Sequence, residues 1–194
     1  MNNKDFKQLF DDYYKSVYQR WKINNEKAGK DIVGEEYELF RQQVWENNGF
    51  AVTKQRVGSY RPDLVIWKDG NIIAFEEDKG SYVDSCFLKR AMLNYAETIS
   101  YYLEKGETVP YFVLSCPTTG GTYDKTFNNI KKLFTSEIRK IVEEKFIYLP
   151  LCKHDRITSK KGYFANSDSC FTLDDSLLEN QNKTFNMLRE VKYD

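Results

Sequence analysis

Arg61-Pro62-Asp63-Leu64-Val65-Ile66-Trp67-Lys68-Asp69-Gly70-Asn71-Ile72-Ile73-Ala74-Phe75-Glu76-Glu77-Asp78-Lys79 is the stretch that decides the fold. Two runs rich in Val, Ile, Trp and Phe flank Lys68-Asp69-Gly70, a β-hairpin signal. Both strands end in ionisable groups. Asp63 opens the first, and Glu76, Glu77, Asp78 and Lys79 close the second. Folding the hairpin brings those ends together. Two carboxylates on adjacent strands can hold one or two oxygen-ligated divalent cations such as Mg²⁺. Lys79, two residues beyond Glu77, lies on the same strand face. Its ammonium suits the orientation or deprotonation of an attacking water, or the neutralisation of charge in a phosphorane-like transition state.

Register decides which acid joins Asp63, because side chains alternate along a strand. A two-residue type I′ turn at Asp69-Gly70 sets Asp63 opposite Glu76, with Asp78 on the same face and Lys79 pointing away. A three-residue loop, Lys68-Asp69-Gly70, sets Asp63 opposite Phe75, so that Glu77 and Lys79 share its face. A bulge in either strand produces the same shift. The three-residue loop is the expectation, since it assembles an acid–acid–lysine set and leaves no buried lysine without a carboxylate. A charge run at a strand end is ordinarily a solvated face. Here four acids and a lysine crowd one sheet end behind strongly apolar strands, and carboxylates so placed repel unless a cation joins them.

Outward from the hairpin, Phe50 to Gln55 alternates as a short strand. Before it, Tyr37, Phe40, Val44 and Trp45 form the inward face of a helix over about 35–47, ended by Asn47-Asn48-Gly49. Phe6, Leu9, Phe10, Tyr13, Tyr14, Val17, Tyr18 and Trp21 mark an amphipathic helix over 3–28. After Lys79 the pattern predicts a helix over 85–105, a strand over 109–116, one long helix over 123–144, a strand over 146–151 and a last helix over 174–191. Residues 153–173 carry only weak strand signals. The whole reads as one α/β domain over 1–194, with a mixed sheet of about five strands flanked by helices. Its core spans about 34–151, with the N-terminal helix before it and a C-terminal extension over 152–194.

The hairpin resembles the PD-(D/E)XK nuclease superfamily, which includes type II restriction endonucleases and Holliday-junction resolvases. Pro62-Asp63 and Glu77-Asp78-Lys79 carry the resemblance. It extends to a glutamate-bearing helix that ends in Gly-aromatic before a strand, here Glu35-Glu36-Tyr37-Glu38 running to Asn48-Gly49-Phe50, and to the helix and strand after the lysine. It covers about residues 34–116. It implies a restriction-endonuclease-like fold and a Mg²⁺-dependent DNA endonuclease, with Mn²⁺ as a substitute, leaving 5′-phosphate and 3′-hydroxyl ends. Asp63 and Glu77 would bind the metal, with Glu76 as the alternative acid. Glu38 would assist, with Glu35 as its rival, and Lys79 would position water. A type II restriction enzyme acting on double-stranded DNA as a homodimer is the first expectation. A resolvase-type repair nuclease, or an inactive DNA- or partner-binding module of the same fold, are the alternatives.

Composition excludes other classes. Lys plus Arg and Asp plus Glu number 29 each, so bulk charge does not draw the chain to DNA or membrane. The charge is uneven, however. Residues 121–161 hold ten Lys/Arg against five Asp/Glu, and 163–194 hold three against six. Lys131 and Lys132 in that basic region, and Lys89 and Arg90 just after the motif, are the candidate DNA contacts. No apolar run is long enough to span a membrane, and the polar start lacks a secretory h-region, so a cytoplasmic setting is expected. Cys86, Cys116, Cys152 and Cys170 form no metal clip, and His154 is the only histidine. Catalysis by a Ser–His or Cys–His pair would need that one residue, which is read as a loop histidine. Thr118-Thr119-Gly120-Gly121-Thr122 lacks the P-loop ending and reads as a turn with Thr122 as N-cap.

Overall fold

A computed structural model describes residues 1–23, 30–80, 83–118, 123–152 and 173–192. The elements run α1 (Asn3–Ile23), α2 (Lys30–Asn47), β1 (Ala51–Thr53), β2 (Leu64–Lys68), β3 (Asn71–Asp78), α3 (Ser85–Lys105), β4 (Tyr111–Thr118), α4 (Tyr123–Lys131), α5 (Ser136–Lys145), β5 (Phe146–Cys152) and α6 (Asp175–Glu190). The strands form one sheet in the order β1-β2-β3-β4-β5. β1, β2 and β3 make an antiparallel meander, and β3, β4 and β5 run parallel. The fold class is therefore the α/β mixed five-stranded sheet that the sequence implies. The readings for Thr122, His154, Cys170 and the weak strand signals fall on residues outside those described.

Helices cover both faces of the sheet. Phe6, Phe10, Phe40, Val44, Trp45, Leu178, Phe185 and Leu188, from α1, α2 and α6, pack on Leu64, Ile66, Ile73, Ala74, Val113 and Leu149. On the other face Phe87, Leu88, Met92, Tyr95 and Ile99 of α3, with Ile130 and Val142 of α4 and α5, pack on Val65, Phe75, Phe112 and Leu114. Parallel strands need crossover helices, and both crossovers, α3 and the α4–α5 pair, use this second face.

The expected helix over 123–144 is two helices. Thr135 caps α5 by accepting the amide of Ile138. The Arg139 guanidinium donates to the carbonyls of Lys131, Lys132 and Phe134, so the freed end of α4 is satisfied by a side chain. α2 begins at Lys30, earlier than its apolar stripe implies, and α1 is followed to Ile23.

The hairpin loop also differs from expectation. Asp69 has φ 51° and Gly70 φ 80°. Both are left-handed, which defines the two-residue type I′ turn. Trp67 pairs with Ile72, as that turn requires, but Ile66 then pairs with Ala74. Ile73 is the extra residue of a β-bulge. Its mark is that Ile73 and Ala74 both enter the same core, while Ile72 and Phe75 border the other.

Candidate active site

The bulge sets the site. Beyond it Val65 pairs with Phe75 and Leu64 with Glu76, so one further step sets Asp63 opposite Glu77. Asp63, Glu77 and Lys79 thereby share the α3 face of the sheet, and Glu76 and Asp78 take the α2 face. The Asp63 carboxylate is tied across the strands, where Oδ2 accepts the backbone N–H of Asp78 at 2.7 Å. Tyr60 donates its hydroxyl to Glu77 Oε1. Lys79 sits just past β3, where its own N–H donates to the carbonyl of Ser115 at 2.9 Å. Its ammonium lies 4.7 Å from the centre of the Phe87 ring, and the Arg90 guanidinium lies 5.0 Å from the same ring.

Burial pushes the Asp63 carboxyl up to about 6, the Asp78 N–H works against the rise, and the charges of Glu38 and Glu76 add to it. Glu77 goes up to about 7, first through burial and then through the Asp63 charge, with Tyr60 and Arg90 opposing. Two carboxyls so placed gain from a cation between them. Glu38, on α2, adds its charge to both, and its Oε2 is 2.8 Å from Lys54 Nζ in a partly exposed ion pair. Glu35 is exposed on the same helix.

Glu76 is fully buried, on the opposite face. Arg41 donates to both its oxygens, from Nε at 2.5 Å and from Nη2 at 3.4 Å, and Trp45 donates from its indole nitrogen. Arg41 Nη1 donates to Gln181 of α6 at 2.9 Å. Asp78 lies nearby with both carboxylate oxygens buried, and burial, then the charges of Glu76 and Asp63, raise its carboxyl well above the ordinary carboxylate range. Tyr37 and Ser115 share a 2.6 Å hydrogen bond that joins α2 to β4.

The chain matches no protein-family model, no curated protein and no solved structure. The site is therefore judged on its own chemistry. Mg²⁺ is commonly held by one or two carboxylates with the remaining positions left to water and substrate phosphate. Asp63 and Glu77, both largely withdrawn from water and close enough for the Asp63 charge to raise Glu77, fit such a cation. Among the described residues no three Asp, Glu, His or Cys side chains come together in a group that could hold a metal ion, so the pair offers two protein ligands.

Of the candidate DNA contacts, Lys89 and Arg90 are exposed on α3, and Arg90 acts electrostatically on Glu77. Lys132 is exposed in the turn after α4. Lys131 is engaged otherwise, 2.8 Å from Glu143 and 5.6 Å from the centre of the Phe127 ring. No described helix is long and apolar enough to cross a membrane.

Sequence reasoning missed Tyr60 and Arg41. Arg41 left a signal. It stands four residues from both Tyr37 and Trp45, on the inward stripe of α2, and a buried guanidinium demands a buried carboxylate. Tyr60 left none, because it falls in the polar stretch between β1 and β2.

Proposed function

We propose that this protein is a Mg²⁺-dependent DNA endonuclease of the PD-(D/E)XK type that cuts double-stranded DNA as a homodimer in the manner of a type II restriction enzyme. One observation carries the reading: past the bulge at Ile73 Leu64 pairs with Glu76, so the register continues to Asp63 opposite Glu77, with Lys79 two residues on and its ammonium over the Phe87 ring of α3. The element order supports it as well. A glutamate-bearing helix, a hairpin with the acids at its mouth, a helix and a parallel strand follow one another as the resemblance implies.

Asp63 and Glu77 would hold the cation, which when bound lowers the pKa of water and stabilises charge on the phosphate. The Asp78 N–H fixes the Asp63 carboxylate. Lys79, whose ammonium lies over the Phe87 ring of α3, would position the water for in-line attack and offset the negative charge that grows on the phosphate. Glu38 would assist from α2 by its charge, which acts on both acids while its carboxylate is paired with Lys54. Arg90, whose charge acts on Glu77 and which is exposed on α3, would meet the DNA backbone, whereas Lys54 is already paired with Glu38.

The test is incubation of the purified protein with unmodified plasmid and with branched DNA, with and without Mg²⁺. Discrete plasmid fragments that require Mg²⁺ are the expected result, and Asp63→Ala should abolish them while the protein still folds. Preference for branched DNA would assign a resolvase-type activity instead. Metal-independent cleavage, or none on either substrate, removes the nuclease reading.

A further inference from the structure

The loop between β1 and β2 holds a device that no catalytic role absorbs. Val57 and Tyr60 bridge each other, N–H to carbonyl, at 2.8 and 3.1 Å. The turn between them needs Gly58 at φ 61°, and a Cβ there would meet the Tyr101 ring of α3 at 3.3 Å. The left-handed backbone and the close ring together favour glycine at this position. The turn therefore rests on α3 and delivers Tyr60 to a fixed place. Its ring is buried, edge-on to Phe75 at 6.1 Å and stacked near Phe112 at 6.4 Å. Only the hydroxyl is left to act, and it donates to Glu77 Oε1.

We infer that Tyr60 is a positioning residue, whose hydroxyl holds the Glu77 carboxylate in the orientation that takes a divalent cation together with Asp63. The inference rests on the nuclease reading, because it presupposes a cation at that pair. Its built support carries it. The donor stands on a rigid aromatic support and a glycine-dependent turn, so its position is set before any ligand arrives. Groups that hold a metal ligand in this way typically change metal affinity about 10- to 100-fold when removed.

The experiment is a calorimetric titration of the full chain with Mn²⁺, repeated with Mg²⁺. Asp63→Asn defines binding at the proposed pair. Tyr60→Phe keeps the ring and removes the hydroxyl, and is expected to weaken Asp63-dependent binding by about 10- to 100-fold while the protein melts cooperatively. Gly58→Ala, which displaces the turn but keeps the hydroxyl, should weaken it in the same direction. Phe185→Leu, in the core on the other side of the sheet, serves as the stability control: it should lower the melting temperature and leave cation affinity unchanged. Tyr60→Phe binding the cation as tightly as the unaltered protein overturns the inference alone, as does an equal loss of affinity in Phe185→Leu. Absence of Asp63-dependent binding in the unaltered protein overturns the nuclease reading, and the inference with it.

Discussion

Asp63 and Glu77 are acids that the folded chain holds at about 6 and about 7, above their ordinary values, chiefly through burial. The folded state thus binds more protons than the unfolded state over about pH 4 to pH 7, and stability falls as pH rises through that window. The contribution is complete below the unfolded values and gone above the folded ones. Asp63→Asn and Glu77→Gln remove the carboxylates but keep acceptors for the Asp78 N–H and the Tyr60 hydroxyl. The double variant should therefore match the unaltered protein near pH 4 and exceed it in stability near pH 8 by several kcal/mol, roughly 3 kcal/mol from each acid. Mg²⁺ should raise the melting temperature of the unaltered protein at the higher pH and not that of the variant. Denaturant titrations at the two pH values check the sign. A difference that grows towards low pH contradicts the burial of these acids. Lys79 is separated by a second measurement. Lys79→Ala should lose turnover by about 100-fold or more and keep Mn²⁺ affinity, since an ammonium is no ligand. Affinity lost together with turnover would place Lys79 in cation binding. At this scale the acids were legible because charge is conspicuous at the end of an apolar strand. Tyr60 was not, since a hydroxyl acts through a contact made sixteen residues of intervening chain away.

The hairpin shows what period-two reasoning can and cannot reach. Lys68-Asp69-Gly70 fits both candidate loops, and the left-handed Asp69 settles the type I′ turn against the three-residue expectation. The turn alone would give Glu76 to Asp63. Ile73 reverses that, and nothing in Ile72-Ile73-Ala74-Phe75 reveals it, because a wholly apolar run is content on either face of a covered sheet. The break between α4 and α5 was missed because the apolar spacing continues through it, although Thr135-Ser136 is a capping signal. Arg41 then explains how the two glutamates stay sorted. With Trp45 it draws Glu76 into the α2 core, and alternation turns Glu77 the other way. Removing one member strands a buried charge. Arg41→Ala should cost about 3–5 kcal/mol, a large part of the roughly 5–15 kcal/mol that holds an ordinary domain. Arg41→Met with Glu76→Met should recover most of it, because apolar replacements of both partners leave no orphaned charge. Unfolding in urea reads both. A double variant as weak as Arg41→Ala would show that the pair itself, and not an unpaired charge, holds the layer together.

Across the whole molecule charge cancels, so any affinity for DNA must come from where cations stand. The sequence points to residues 121–161, and part of that excess is committed within the fold. Lys131 is paired with Glu143, and Arg139 closes the end of α4 through three carbonyls. The cations that act on the acid pair come from elsewhere, Lys54 from the chain after β1 and Arg90 from α3. Counterion release counts phosphates contacted and is indifferent to net charge, so binding to DNA should weaken steeply between about 50 and 200 mM salt. To separate binding from cleavage, the measurement uses an Asp63→Ala background. Arg90→Ala should lower the slope of log affinity against log salt by about one. Lys131→Ala should leave the slope unchanged, because its ammonium already has a carboxylate at 2.8 Å. The reverse result would move the DNA to the α4–α5 side of the domain, away from Asp63 and Glu77. A flat salt dependence in every variant would leave the acid pair without a phosphate backbone to act on.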